Sequence, residues 1–473
     1  MNRVLLPLIP ALALGGCNLA PAYRPPAAVA IPSSFRESPG WAVAMPSDAV
    51  ARGAWWGLFG DPALDALERK VAVTNQNVAA ARAAYQAARA LVAVQRSALF
   101  PTITGTASGT HSDSFTGAPA VGTATTTAGS RYALSIGASW EPDLWGRLGN
   151  AVGQARATAQ ASAGDLANAT LSAQGEVATD YVQLRGIDAQ RVLLDRTITD
   201  YRRALTITTN KYRAGTVAHS DVYQAQTSLS NAIATRQDLD RQRAVLEHAI
   251  AVLAGENPSS FTIAPVSWAP VVPQVPGVLP ATLLERRPDV AAAERRVAAA
   301  NANIGIQRAA YFPQLTLSGS GGTSGSAVGQ LFSAATSLWS LGLSTAATLL
   351  DFGARHGQVV QARAQYDQAA ANYRQTVLTA FQQVEDNLAA TRVLADVTRS
   401  RADAADAAIR AEAIVNNQYL GGIVDYSQVI VAQTAAFTAQ QSRIQAVIDQ
   451  QVAAIALIQA IGGHWSGDAA AAG

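Results

Sequence analysis

The chain has 473 residues, a net charge of +2 and only 14% charged residues, so it carries no basic footprint for nucleic acid. Its one cysteine, Cys17, excludes a disulfide framework within the chain. After residue 20 no run of about 18 apolar residues occurs, which argues against a transmembrane helix.

The N-terminus reads Met1-Asn2-Arg3, then an apolar run from Val4 to Leu14, then Gly15-Gly16-Cys17. One positive charge, a short apolar core and small residues before a cut site make residues 1–16 a secretory signal. The tetrad Leu14-Gly15-Gly16-Cys17 resembles a bacterial lipobox. That resemblance implies cleavage before Cys17 and acylation of Cys17 on its thiol and amine. Asn18 follows rather than Asp, which by the same resemblance points to the outer membrane. Several acyl chains together anchor stably.

Residues 17–60 are Pro-rich and form an extended tether, ending in a packed patch at Trp55, Trp56, Leu58 and Phe59. Asp61-Pro62 predicts a helix start, with an N-cap followed by proline at the first helical position, and the helix runs over 62–98 until Pro101 stops it. In the next stretch, Ile103, Gly105 and Ala107 alternate with Thr102, Thr104, Thr106 and Ser108. A Gly/Ser/Thr loop is expected over 109–130. Then Tyr132, Leu134, Ile136, Ala138 and Trp140 alternate with Ala133, Ser135, Gly137 and Ser139. Period two with one apolar face and one small polar face describes a strand between two different solvents. A long helix follows over 146–210, a loop at 214–219, and another helix to Ala254.

Residues 256–280 form a Pro-rich linker, after which the pattern repeats. A helix over 282–310 ends at Phe312-Pro313, as the first ends at Phe100-Pro101. Leu315 and Leu317 alternate with Thr316, Ser318 and Ser320, and a Gly/Ser loop is expected over 319–330. Trp339, Leu341 and Leu343 alternate with Ser340, Gly342 and Ser344. A helix of about 60 residues from Gly353 then reaches roughly 90 Å, three times a bilayer's hydrocarbon core. Val359, Tyr366, Tyr373 and Ala380 recur every seven residues along it, and Ala370, Val377 and Val384 are offset by four. That spacing is a seam against other helices. A loop at 421–426 leads to a last helix ending at Ile461-Gly462, and residues 463–473 are a small polar tail. Gly146, Tyr212, Gly215, Ser220 and Gly255 recur 207 residues on as Gly353, Tyr419, Gly422, Ser427 and Gly462. A constant offset over such a length marks a duplication, with one repeat over 61–255 and the other over 281–462.

Each half reads helix, strand, strand, long helix, helix. Four strands cannot close a barrel, and lipid does not tolerate open edges, so copies of the chain must share one barrel of 8, 12 or 16 strands. Aromatics on the apolar faces and at the helix–strand junctions suit membrane interfaces. A soluble β-sandwich and a solid coiled-coil spacer are the competing readings. The five histidines are dispersed, no metal-binding pair is spaced i, i+4, and no Gly-x-Ser-x-Gly elbow occurs, so a hydrolase lacks its residues.

Four motifs carry a resemblance that covers nearly the whole chain. They are Trp55-Trp56-Gly57-Leu58-Phe59-Gly60-Asp61-Pro62, Trp140-Glu141-Pro142-Asp143-Leu144-Trp145-Gly146-Arg147, Leu284-Glu285-Arg286-Arg287-Pro288-Asp289-Val290 and the paired Phe-Pro helix ends. With them the sequence resembles the TolC-like outer-membrane efflux factors, and with the lipobox their NodT-type lipoprotein branch. The resemblance implies a mainly α fold with membrane β: coiled-coil helices forming a periplasmic α-barrel, and four strands per chain in a 12-stranded trimeric β-barrel. It implies a homotrimer that works as an exit duct, without enzyme activity or cofactor. The partners it implies are a periplasmic membrane-fusion adaptor and an inner-membrane resistance-nodulation-division pump. It also places Asp425 and Tyr419 at a periplasmic gate, and Gly215, Thr216, Val217, Gly422, Ile423 and Val424 at tips that meet the adaptor. Gln418 departs from the basic residue common there, which weakens any salt-bridge latch. On the residues alone, Ser220 and Asp425 are equally suited to cap the helices that follow them. A lipid-anchored spacer or adaptor without a pore is the alternative function.

Overall fold

The computed structural model describes residues 18–26, 54–116, 125–273 and 287–463. The signal segment, Cys17, most of the tether, part of the linker and the tail lie outside them. The elements are α1 (Pro62–Thr74), α2 (Gln76–Ser97), β1 (Thr102–Thr116), β2 (Thr125–Trp140), α3 (Arg147–Arg213) and α4 (His219–Leu253) in the first half. The second half holds α5 (Pro288–Ala309), β3 (Gln314–Gly325), β4 (Ser337–Ala346), α6 (Ala354–Leu420) and α7 (Tyr426–Ala460). Among the described residues no helix is long and apolar enough to cross a membrane.

The chain divides into two compact units. One comprises residues 1–27, 85–161 and 293–373, and the other comprises 28–84, 162–292 and 374–473.

The first unit is built on one antiparallel sheet in the order β1-β2-β3-β4. Among the described residues this is the one sheet, with no second layer, which argues against the β-sandwich. The register sets Ile103 beside Ala138, Leu134 beside Thr323 and Leu317 beside Leu343, so one face gathers the apolar series of all four strands. On the other face the Thr106 and Ser135 hydroxyls meet at 2.7 Å and those of Ser320 and Ser340 at 2.8 Å. Among the described residues nothing covers the apolar face: Ile103, Ile136, Trp339 and Leu341 are exposed. Both expected Gly/Ser/Thr loops are partly strand, since β1 runs to 116, β2 starts at 125 and β3 runs to 325. Strand pairing satisfies the backbone and needs no apolar side chains, so composition hid these extensions.

The sequence motifs of this unit are clamps at the helix–strand junctions. Asp143 accepts from Leu148 N at 3.1 Å and Gly149 N at 2.6 Å, which caps α3, while Arg147 donates to both oxygens of Glu141 at 2.7 Å. Trp140 Nε1 donates to Leu99 O at 3.0 Å. The segment 18–26 lies along α5. Asn150 Nδ2 donates to Asn18 Oδ1 at 3.0 Å, Arg308 to Leu19 O at 3.3 Å and Asn301 to Pro21 O at 2.9 Å, and the Tyr23 hydroxyl donates to the Glu294 carboxylate. A Cβ on Gly305 would stand 2.7 Å from Ala20 Cβ, so this close crossing requires glycine.

In the second unit, Asp61 caps α1 as its sequence predicts, accepting from Ala63 N and Leu64 N, and it also accepts from the Tyr181 hydroxyl at 2.6 Å. The patch at Trp55, Trp56 and Phe59 is a short 3-10 turn buried in a core with Tyr181, Leu184, Ile250 and Ile455. The expected single helix over 62–98 is two helices. Asn75 is extended, and its side chain accepts from Asn77 N and Val78 N and donates to Leu253 O, so it caps α2 and breaks the run. Arg287 of the second-half motif donates to Asp289, to Ala460 O and to Gln383 Oε1. The predicted seam of α6 is buried in this unit at Val377, Ala380 and Val384; in the first unit it is buried at Val359 and Ala370 and half-buried at Tyr366 and Tyr373.

Candidate functional site

Two helix–turn–helix ends of the second unit hold every residue placed at the gate and the tips. After α3, Gly215 N donates to Tyr212 O at 2.9 Å and Thr216 N to Lys211 O at 2.9 Å. After α6, 207 residues on, Gly422 N donates to Tyr419 O at 3.1 Å and Ile423 N to Gln418 O at 2.9 Å. Gly215 and Gly422 have φ of 75° and 73°, the left-handed conformation that closes a helix C-terminus. Thr216 and Ile423 are thus held at equivalent places by equivalent bonds. Ile423 is 75% exposed, an apolar knob without cover among the described residues.

The two turns are pinned together by a small core. Tyr419 and Tyr426 are buried with Ala225 and Val429, their rings 5.4 Å apart. Lys211 Nζ stands 3.8 Å from the Tyr419 ring centre and donates to Tyr419 O at 2.9 Å, and the hydroxyls of Thr208 and Tyr419 are 3.2 Å apart. Burial pushes the Tyr426 hydroxyl up to about 12. Tyr419 thus fixes one hairpin against the other.

Asp425 is exposed and occupies the N-cap of α7 with extended backbone, yet its side chain makes no capping bond. Ser220 is not a cap either. Ala218 holds that position, and the Ser220 hydroxyl donates to Asp221 Oδ1 at 3.3 Å. The carboxylate of Asp425 therefore remains open to solvent at the very tip of α7. Sequence reasoning missed two features here. His219 lies between two tyrosine rings, stacked on Tyr212 at 4.5 Å and tilted against Tyr223 at 4.4 Å. The i, i+4 spacing of His219 and Tyr223 was legible, but the return of Tyr212 needed the turn. Further along, the Glu412 carboxyl is raised by burial and then by the charge of Asp200, so two acids from α6 and α3 share one groove.

Among the described residues no group of three or more His, Cys, Asp or Glu could hold a metal. What the site offers is a turn surface with an open acid and apolar tips.

A family model described as outer membrane efflux protein matches residues 68–256 and 279–463. The chain belongs to the outer membrane efflux protein family. The probable efflux pump outer membrane protein TtgC of Pseudomonas putida is 30% identical over 471 residues, covering 98% of this chain and 96% of that protein. The pyoverdine export outer membrane protein OpmQ of Pseudomonas aeruginosa is 27% identical over 465 residues, covering 97% and 96%. Among solved structures, the outer-membrane channel OprN gives a TM-score of 0.83 at 27% identity, over 95% of this chain and 100% of that one. The open state of the MtrE outer membrane channel of Neisseria gonorrhoeae gives 0.81 at 26%, over 94% and 98%.

As an efflux protein of this family the chain has the trimeric channel fold, in which helices form a periplasmic barrel. Three copies of its four-stranded sheet make one 12-stranded β-barrel. It is an outer-membrane efflux channel that extends into the periplasm, which sets aside the pore-less spacer. The family is one of channels, not of enzymes.

Proposed function

We propose that the chain is the passive exit duct of a tripartite efflux system for small molecules. The observation that carries this reading is the sheet with one apolar and one hydroxyl-lined face, whose outer strands have no partner in the chain among the described residues. A wall of that kind separates lipid from a neutral aqueous lumen. Relatives named for toluene, solvent, antibiotic and pyoverdine export support small, partly apolar organic molecules as the cargo. The duct does no chemistry in this reading. Energy and selection come from an inner-membrane resistance-nodulation-division transporter, linked by a periplasmic membrane-fusion adaptor.

Gly215, Thr216, Val217, Gly422, Ile423 and Val424 are the adaptor-docking tips, and the exposed Ile423 supports that role. Asp425 and Tyr419 form the gate. Tyr419 positions the hairpin, and three copies of Asp425 concentrate negative charge around the axis. Cys17 carries the lipid. Asn18, one residue on, is bonded to Asn150 beside the helix ends that join the sheet, which suits an acyl chain at that level. In planar bilayers the wild-type trimer should show low conductance, and Asp425→Ala should raise it severalfold. Opening variants that never conduct would end the duct reading.

A further inference from the structure

Within one chain, the first half meets the second through a defined junction. Trp145, between β2 and α3, stacks on Phe312 with ring centres 4.7 Å apart, and its Nε1 donates to Pro313 O at 2.7 Å. Beside this junction β2 pairs with β3, from Trp140 opposite Leu317 to Tyr132 opposite Gly325. The parts matching this junction, one in each half, stand exposed. Phe352 stands 207 residues after Trp145, and Phe100-Pro101 stand 212 residues before Phe312-Pro313. Phe352 is 93% exposed and Phe100 59% exposed. Phe352 is also the one positive-φ residue other than glycine among the described residues, with φ of 50°. A bulky residue held in that conformation needs surroundings that impose it.

We propose that Phe352 of one copy seats on Phe100 and Pro101 of the next copy, and that β4 pairs with β1 of that copy in a register fixed by the internal duplication. The offsets are tested inside the chain. Thr102 opposite Ser139 becomes Gln314 opposite Ala346, and Ser108 opposite Ala133 becomes Ser320 opposite Ser340; both are observed pairs. The same offsets carry the β2–β3 pairing onto β4 and the neighbouring β1. Ser139 opposite Ser318 becomes Ala346 opposite Thr106, and Gly137 opposite Ser320 becomes Ser344 opposite Ser108. Ile136 opposite Gly321 becomes Leu343 opposite Gly109, again a branched side chain over a glycine. This register keeps Leu341 and Leu343 on the face of Ile103 and Ala107. A slip of one residue would turn the apolar series of one copy toward the lumen.

The inference rests on the shared barrel, but the register is a separate claim with its own readout. The full chain carrying Ser344→Cys and Ser108→Cys is oxidised in outer-membrane fractions and run without reductant. Wild type, which retains Cys17, gives the background. Covalent dimers and trimers should form in at least about fivefold higher yield than for Ser344→Cys with Thr110→Cys, because a two-residue offset exceeds disulfide reach. Equal or greater yield from the shifted pair overturns the register, as does absence of cross-links in a protein that still sediments as a trimer. A monomer would overturn the shared barrel itself. Phe352→Ala and Phe100→Ala should each lower the temperature at which the trimer dissociates in detergent. The double variant should fall no further than the worse single one, and additive losses would overturn the aromatic seat.

Discussion

Glu68 is the residue whose burial has the sharpest consequence. It lies in α1 with no exposed surface, and neither carboxylate oxygen has a partner among the described residues. Desolvation alone pushes its pKa up to about 9. In the unfolded chain a glutamate titrates near 4.3. At neutral pH the native state therefore holds a proton that the unfolded state has lost, and stability falls as pH rises from roughly 4.3 toward 9. Glu68→Gln removes this dependence. Its stability advantage over wild type should be near zero at pH 4 and grow by up to about 1.4 kcal/mol per pH unit between pH 5 and 8. Thermal unfolding at several pH values checks it, and a gap that does not change with pH would show that Glu68 is ionised in the fold.

At the scale of elements, the buried ion cluster on α3 and α4 holds the linker that follows α4. Asp188 is only 4% exposed and meets Arg185 at 3.3 Å, Arg191 at 3.2 Å and Arg243 at 2.8 Å. Arg185 and Arg243 also donate to Ala264 O and Ile263 O, and Glu247 accepts from Thr262 and Ile263 N. Arg243→Met leaves Asp188 short of a cation and Ile263 O without that donor. Breaking one partner of a buried pair costs about 3–5 kcal/mol, so the variant should unfold at a clearly lower temperature, and limited proteolysis should cut near 260–266. An unchanged cleavage pattern would show that the linker is held otherwise. The i, i+3 spacing of Arg185, Asp188 and Arg191 was visible in the sequence, but Arg243 and the linker carbonyls were not, because they meet only through the turn from α4. The same limit explains Asn75. Its neighbours Ala72 and Val78 continue the helical pattern, and only its bond to Leu253 O reveals the break. By contrast, the Asp61 cap and the strand faces were legible, since each is a local rule acting within a few residues.

The whole molecule is governed by the duplication. α3 and α6 both have 67 residues, and α4 and α7 both have 35. Equal lengths bring the two turns level, which lets Lys211 and Thr208 of one hairpin reach Tyr419 of the other. The heptad seam adds a second constraint, because removing seven residues keeps the apolar stripe in phase while removing any other small number rotates it. Deleting 407–413 and 434–440 shortens α6 and α7 by one heptad each, or about 10 Å. That lifts Tyr419 and Tyr426 away from Lys211, Thr208 and Ala225 and dissolves the small core between the turns. Deleting 200–206 and 227–233 as well restores the match. The doubly shortened protein should form trimers as heat-resistant as wild type and conduct in bilayers. The version shortened in one half should lose most of its trimer. On the proposed docking of an adaptor at these tips, export from cells should fail in both, because even the matched tips now stand about two helical turns short of a partner built for the full length. If the one-sided deletion is as stable as the matched one, the turns do not depend on each other, and the equality of the helix lengths has no structural role.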